Sequence, residues 1–340
     1  MNGWRGMVPL AMNPNFTFDY DSLLWPQVDP PGTEDKINWT HWDDLVNIYG
    51  LDEAGYARNP WGNEGVQYGL AALVAGKLTP AEFLDVNAKV GSWRESADMV
   101  AEGCPFMPTA CPDPNQMDLW SSRNMHLSPD DGKTPAPRRT PDPKAVEAAL
   151  RAGLVFQGNV DIPIIDWRVY EEEKLSTHHS RESFVSRKRM LNVDGTADNQ
   201  VIWFADGPSE HTPLTLAAFD AIDDWMANIA AHPERGVAGN KPPAAVDSCF
   251  DGDGEPIATG PDVWAGTTDD RPAGPCTKAF PTYGTSRTMA GEPLEGPDFG
   301  CTLQPVADAI EAGGYGTWHP TAAQQARLEQ IFPTGVCDYD

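Results

Sequence analysis

Two short apolar runs in the middle of the chain predict buried β-strands. The runs Val160–Ile165 and Gln200–Ala205 are rich in β-branched and aromatic residues, which favour strands that are covered on both faces. Neighbouring segments show helical spacing of apolar residues and predict helices over Lys144–Ala152, Ser180–Leu191 and Leu214–Ile229. Helices that alternate with strands over short connections are typical of an α/β fold with a parallel sheet.

The last of these predicted helices has its apolar residues at helical spacing. We expect Trp225 and Ile229 to pack the helix back onto the sheet. The repeating apolar positions are Leu216, Phe219, Ile222, Trp225 and Ile229.

The regions on either side of this α/β segment differ from it in composition. Residues 1–143 predict helices over 62–76 and from Pro80 to near Gly91, followed by a Pro-rich loop over 103–143. Residues 236–340 are rich in Pro, Gly and Cys, with predicted helices over Pro305–Ala312 and Thr321–Ile331. We therefore divide the chain into a helical, loop-rich lid or insert (1–143), an α/β core (144–235) and a Cys-rich C-terminal extension (236–340).

Charge and hydropathy exclude several classes of function. The 340 residues carry a net charge of −26, which disfavours binding to nucleic acid or to an anionic membrane surface. The chain has no apolar run of the roughly 18 residues that a membrane span needs. The first residues lack the apolar stretch of a signal peptide. We expect either a cytosolic protein or one whose true N-terminus lies upstream.

The cysteines favour disulfides and export over metal binding. The six cysteines form no C-x-x-C motif, and no histidine follows them at zinc spacing. Cys104 and Cys111 flank a short loop, and the four cysteines in the tail allow three pairings. The segment Asp251–Glu255 resembles the start of a calcium loop but lacks its later ligands, so we predict a turn. We expect no metal and no cofactor.

An acid and a histidine follow the two predicted strands. Asp166 comes directly after the first, and His211 comes after the second, just before a helix. Since ligands of parallel α/β sheets bind outside the carboxyl ends of the strands, both residues are placed at the catalytic edge. Acid followed by histidine is the closing half of the Ser–acid–His order of α/β-hydrolases. In such a site the histidine accepts the proton of the nucleophile, and the acid orients the histidine.

Each of these residues has a competing interpretation. His211 could be a surface histidine in a turn, and Asp166 could be a strand cap or a partner of Arg168. Glu171 and Glu172 compete for the role of the acid, because in many hydrolases of this fold the acid lies several residues beyond the strand. We rank Asp166 first by a small margin and Glu171 second.

The nucleophile is missing from the sequence. No G-x-S-x-G motif occurs, although this motif carries the serine of α/β-hydrolases. Ser209 and Ser286 lie in near matches, but Ser209 is only two residues from His211 and Ser286 lacks a strand–helix context. The simplest account is a C-terminal half whose serine lies upstream.

Several ordered motifs resemble a family of proteins. The segments Asn63–Leu70, Gly76–Leu84 and Ile162–Arg168, together with the Cys-rich ending, are similar to a secreted, actinobacterial-type family of uncharacterised α/β-hydrolase-like proteins. That family is distantly similar to tannases and feruloyl esterases, and the resemblance spans residues 55–340. It implies a secreted serine hydrolase acting on ester-type bonds, with residues 50–145 inserted as a lid. Members are about twice as long and carry their serine in the part absent here.

We therefore expect an α/β fold holding part of an α/β-hydrolase sheet, with His211 as general base and Asp166 or Glu171 as its orienter. The expected partners are a small-molecule or polymeric ester and the upstream half of the same enzyme. The alternative is a non-catalytic, disulfide-stabilised binding or accessory module.

Overall fold

The computed structural model describes residues 41–100, 122–172, 179–207, 212–296 and 299–339. The chain forms two units, each described by itself. Unit 1 comprises residues 1–155, 286–292 and 297–340, and unit 2 comprises residues 156–285 and 293–296. Residues of the predicted C-terminal extension occur in both units, and the helix predicted over Lys144–Ala152 belongs to unit 1.

Unit 1 is built from helices with two small sheets. Its described helices are α1 (His41–Tyr49), α2 (Leu70–Val74), α3 (Pro80–Lys89), α4 (Pro143–Arg151), α9 (Val306–Glu311) and α10 (Ala322–Ile331), and its strands are β1 (Val90–Trp93), β2 (Met125–Leu127), β7 (Thr302–Gln304) and β8 (Val336–Asp338). Strands β1 and β2 pair antiparallel, as do β7 and β8.

Sequence features fix the helix boundaries in unit 1. Helix α3 begins with a capping box, in which Thr79 and Glu82 satisfy each other's backbone N–H groups, and with Pro80 in its first turn. Thr321 and Gln324 cap α10 in the same way. The cluster that these helices bury includes Phe83, Tyr315, Leu328, Ile331 and Phe332.

Unit 2 contains a four-stranded sheet in the order β3 (Ile164–Val169), β4 (Gln200–Ala205), β5 (Ser248–Phe250) and β6 (Pro256–Thr259). The first three strands are parallel and β6 is antiparallel to β5. The described helices of this unit are α5 (Arg181–Asp194), α6 (Thr212–Ala231), α7 (Gly236–Gly239) and α8 (Pro275–Ala279). The predicted α/β fold with parallel strands is confirmed here.

Strand β4 lies at the centre of the unit 2 core. All six of its residues are buried. Ile202 and Phe204 pack on one face with Phe184 of α5 and Trp264, while Trp203 packs on the other face with Trp225 of α6. Burial on both faces explains the unbroken apolar run that predicted this strand.

One expectation about unit 2 requires correction, and one is confirmed. The first strand covers Ile164–Val169 rather than Val160–Ile165. Trp225 and Ile229 pack α6 onto the sheet as expected, but Leu216 and Phe219 are exposed. Each residue advances a helix by about 100°, so the nine residues from Leu216 to Trp225 place these two side chains on opposite sides of the helix.

Each unit contains one disulfide among the described residues. Cys249 of β5 bonds to Cys276 of α8 in unit 2, and Cys301 bonds to Cys337 of β8 in unit 1. Cys104 and Cys111 lie outside the described residues. No described helix is long and apolar enough to span a membrane.

Candidate active site at the carboxyl edge of the sheet

Strands β3 and β4 end side by side in unit 2. Their pairing is in register to the last residues, so that Val169 lies opposite Ala205. The chain continues from β3 into Glu171 and Glu172, and from β4 into Asp206 and Gly207. Acidic side chains therefore follow both strands at the edge where parallel α/β sheets bind ligands.

Asp166 does not lie at this edge. It is the third residue of β3 and is paired with Ile202 in the middle of β4. Its carboxylate accepts a hydrogen bond from Nε of Arg168 at 3.0 Å, and Nη1 of Arg168 donates to the carbonyl of His179 at 2.9 Å. The ion pair with Arg168 is the structural alternative named above, and the hydrogen bond from Arg168 to His179 ties β3 to the chain just before α5.

Glu171 is the first acidic residue after β3. The strand ends at Val169, so Glu171 stands two residues beyond it, and it is half-buried. Its position matches the arrangement in which the orienting acid lies past the strand end. The sequence ranked Glu171 second, behind Asp166, because the predicted strand Val160–Ile165 placed Asp166 at the strand end.

Glu172 has a structural contact that sequence reasoning missed. Its side chain is 1 % exposed, and Oε1 accepts hydrogen bonds from the backbone N–H and from the hydroxyl of Ser180, at 2.8 and 2.5 Å. Oε2 lies 3.5 Å from Nδ1 of His179. Among the described residues, that nitrogen has no hydrogen-bond partner. The buried carboxylate fixes the residues that begin α5.

The turn that leaves β4 is held by local hydrogen bonds. The Asp206 N–H donates to the carbonyl of Phe250 at 3.2 Å, and the Gly207 N–H donates to the Asp206 carboxylate at 2.8 Å. Gly207 has a φ of +108°, a conformation that favours glycine. His211 and Ser209 lie outside the described residues. The described chain resumes at Thr212, where α6 begins.

Ser286 belongs to the other unit. It lines a cavity of unit 1 together with aromatic and arginine side chains. The described residues that line this cavity include no histidine and no carboxylate.

The segment Asp251–Glu255 forms a turn. The Asp251 carboxylate accepts hydrogen bonds from the backbone N–H groups of Asp253 and Glu255, both at 3.0 Å. The turn prediction is confirmed. Within the described ranges, no group of three or more His, Cys, Asp or Glu side chains is arranged to hold a metal ion.

Comparison with known proteins identifies a family. Residues 4–340 match the family described as "Tannase-like family of unknown function" (DUF6351). No curated protein and no solved structure matches the chain.

Proposed function

Because the chain belongs to this tannase-like family, we propose that it supplies the acid and the base of an ester-hydrolysing Ser–acid–His site. The observation that carries the proposal is the side-by-side ending of β3 and β4. An acid follows the first strand, and the only histidine between β4 and α6 in the sequence is His211. This is the chain order of α/β-hydrolases after their serine.

In the proposed reaction a serine hydroxyl attacks the ester carbonyl carbon while His211 accepts the hydroxyl proton. His211 then gives this proton to the departing alkoxide, which leaves as the alcohol, and water hydrolyses the acyl-enzyme by the same steps. The acid orients the His211 ring. We favour Glu171 over Asp166 because Asp166 lies within the strand and pairs with Arg168.

We place the serine on an upstream portion of the same protein. Two features of unit 2 support this assignment. Strand β3 pairs with β4 on one side and with no described strand on the other, and exposed parallel edges are normally covered. Helix α6 also carries a stripe of exposed large apolar residues: Leu216, Phe219 and Met226 are 57 %, 66 % and 53 % exposed. A parallel strand and helix from upstream would cover both.

The substrate class that follows is a small-molecule or polymeric ester. Export is the localisation that best fits the two disulfides, because disulfides persist in oxidising compartments.

The test is ester hydrolysis by the protein that includes the upstream portion. With p-nitrophenyl butyrate, His211→Ala should lower kcat by about 10³-fold or more, since a triad without its base loses most of its advantage. His232→Ala is the matched control, because His232 is a half-exposed histidine in the same unit. Unchanged turnover in His211→Ala would remove His211 from the mechanism.

A further inference from the structure

Five Asp–Gly pairs occur in the chain, and the backbone at such a pair can rearrange without an enzyme. The glycine nitrogen attacks Cγ of the aspartate, and a five-membered succinimide ring forms as water is lost. Water then opens the ring at either carbonyl, which gives aspartate or isoaspartate. In isoaspartate the main chain runs through the side-chain carbon. The pairs are Asp131–Gly132, Asp194–Gly195, Asp206–Gly207, Asp251–Gly252 and Asp253–Gly254.

The pair that follows β4 has the geometry that this rearrangement needs. The Gly207 N–H donates to Oδ1 of Asp206 at 2.8 Å. Because Oδ1 is bonded to Cγ, this contact holds the attacking nitrogen close to the carbon that it must reach, and reactions between held groups start from separations of about 3–3.5 Å. Gly207 has no Cβ to hinder the attack. Asp206 is exposed, so water is available to open the ring.

At the other four pairs, hydrogen bonds direct one of the two reacting groups elsewhere. Three glycine N–H groups donate to a different acceptor: Gly132 to Oγ of Ser128 at 2.7 Å, Gly195 to the carbonyl of Leu191 at 3.0 Å, and Gly254 to the carbonyl of Asp251 at 3.0 Å. At the fourth pair, the Asp251 carboxylate accepts hydrogen bonds from the N–H groups of Asp253 and Glu255, both at 3.0 Å. Each of these bonds must break before the ring can close, which adds to the free energy of activation.

We propose that Asp206 is the Asp–Gly site at which the folded chain forms isoaspartate. The Gly207 nitrogen forms a bond to Cγ of Asp206, and the hydroxyl of the protonated carboxyl group leaves as water with the amide proton. Water then adds to the backbone carbonyl carbon of Asp206, whose bond to the Gly207 nitrogen breaks. The product has one more carbon atom in the main chain between β4 and His211, and a carboxylate on Cα. The proposal does not rest on the proposed esterase function.

The first test follows isoaspartate at all five pairs in the unmodified chain. The protein is incubated in mildly acidic buffer, which increases the protonated fraction of the carboxyl groups, once folded and once unfolded in urea. Mass spectrometry with electron-transfer fragmentation distinguishes isoaspartate from aspartate in the digested peptides. In the folded chain, Asp206 should react at least about fivefold faster than each other pair, because the others must first give up a hydrogen bond.

The unfolded chain separates the effect of the fold from that of the sequence. In urea the five rates should agree within about threefold, because every pair has the same two residues and none is held. Absence of isoaspartate at Asp206 in the folded chain, or an equal or faster rate at another pair, would overturn the proposal. A preference for Asp206 that persists in urea would overturn it as well, because the fold would not be its cause.

A variant tests the protection of the other pairs. Ser128→Ala removes the hydroxyl that holds the Gly132 N–H, so the rate at Asp131 in the folded chain should rise by about fivefold. Ser186→Ala is the control, because the Ser186 hydroxyl donates to the carbonyl of Glu182 within α5. It should leave the rate at Asp131 unchanged. Circular dichroism checks that both variants are folded. An unchanged rate at Asp131 in Ser128→Ala would overturn the protective role of these hydrogen bonds.

Discussion

Two carboxylates compete for the role of orienting acid, and their surroundings separate them at the scale of single residues. In the full-length protein, we expect Glu171→Gln to lower kcat for ester hydrolysis by about 10²-fold or more, because a neutral amide cannot stabilise the charged histidine. Asp166→Asn should change kcat by less than about threefold, with its main effect on stability through Arg168. The reverse order of effects would return the role to Asp166.

At the same scale, Glu172 has a structural role that can be tested by stability alone. Its buried carboxylate accepts both hydrogen bonds from Ser180, so Glu172→Ala leaves these donors unsatisfied. The free energy of unfolding should fall by about 1–3 kcal/mol, measured by urea denaturation. Glu147→Ala is the control, because Glu147 is 70 % exposed and pairs with Arg151 within α4. Equal stability of the two variants would refute the structural role of Glu172.

Tyr315 has an unusual environment in unit 1. Its hydroxyl is buried without a hydrogen-bond partner among the described residues, and burial raises the pKa of this phenol well above its usual value. Tyr315→Phe removes the unsatisfied group and keeps the edge-to-face contacts with Phe83 and Trp318. We expect the free energy of unfolding to stay constant or rise by about 1 kcal/mol near pH 7.

The pH dependence of this variant has a definite sign. The phenol of Tyr315 has a higher pKa in the folded protein than in the unfolded protein. Its contribution to stability is therefore complete below about pH 10 and is lost as the pH rises further. Tyr339, whose pKa burial raises to about 12, contributes in the same direction. The wild-type protein should therefore lose stability above pH 10 more steeply than Tyr315→Phe. Parallel pH profiles would contradict this.

At the scale of elements, the sequence predicts best where burial is complete. Strand β4 is predicted to the residue, because every position is apolar or buried. Strand β3 is predicted too early, because Asp166 and Arg168 resemble the end of a strand in the sequence, whereas in the fold they neutralise each other two residues apart on one face. Because of that displacement, we propose Glu171 rather than Asp166 as the orienting acid. Glu172 and Ser180 are eight residues apart, and a single side-chain contact of this kind produces no periodic pattern in the sequence.

The exposed apolar residues of helix α6 can be used to test whether another part of the protein covers them. Phe219→Ser on the exposed stripe should change the free energy of unfolding of this chain by less than about 0.5 kcal/mol. Trp225→Ala, on the buried face of the same helix, should cost about 3–5 kcal/mol. In a protein that includes the proposed upstream portion, Phe219→Ser should be clearly destabilising, because that portion would cover this residue. Equal, small effects in both proteins would show that nothing covers it.

At the scale of the whole molecule, the disulfides stabilise each unit separately. The loops they close span 27 and 36 residues, which corresponds to about 3–4 kcal/mol for each bond in a chain-entropy description. Replacing Cys301 and Cys337 by Ala should destabilise unit 1, and replacing Cys249 and Cys276 should destabilise unit 2. Sequence alone allowed three pairings of these four residues, since only the fold decides which sulfur atoms meet. Limited proteolysis of the two double variants identifies the unit that opens, and opening of the opposite unit would contradict the assignment.

The most direct test of the central claim is labelling with a fluorophosphonate probe, which reacts with activated serines. We predict no labelling of this chain alone, labelling of an upstream serine in the full-length protein, and loss of that labelling in His211→Ala but not in His232→Ala. Labelling of this chain alone that disappears on Ser209→Ala or Ser286→Ala would contradict the account, because the nucleophile would then lie within these 340 residues.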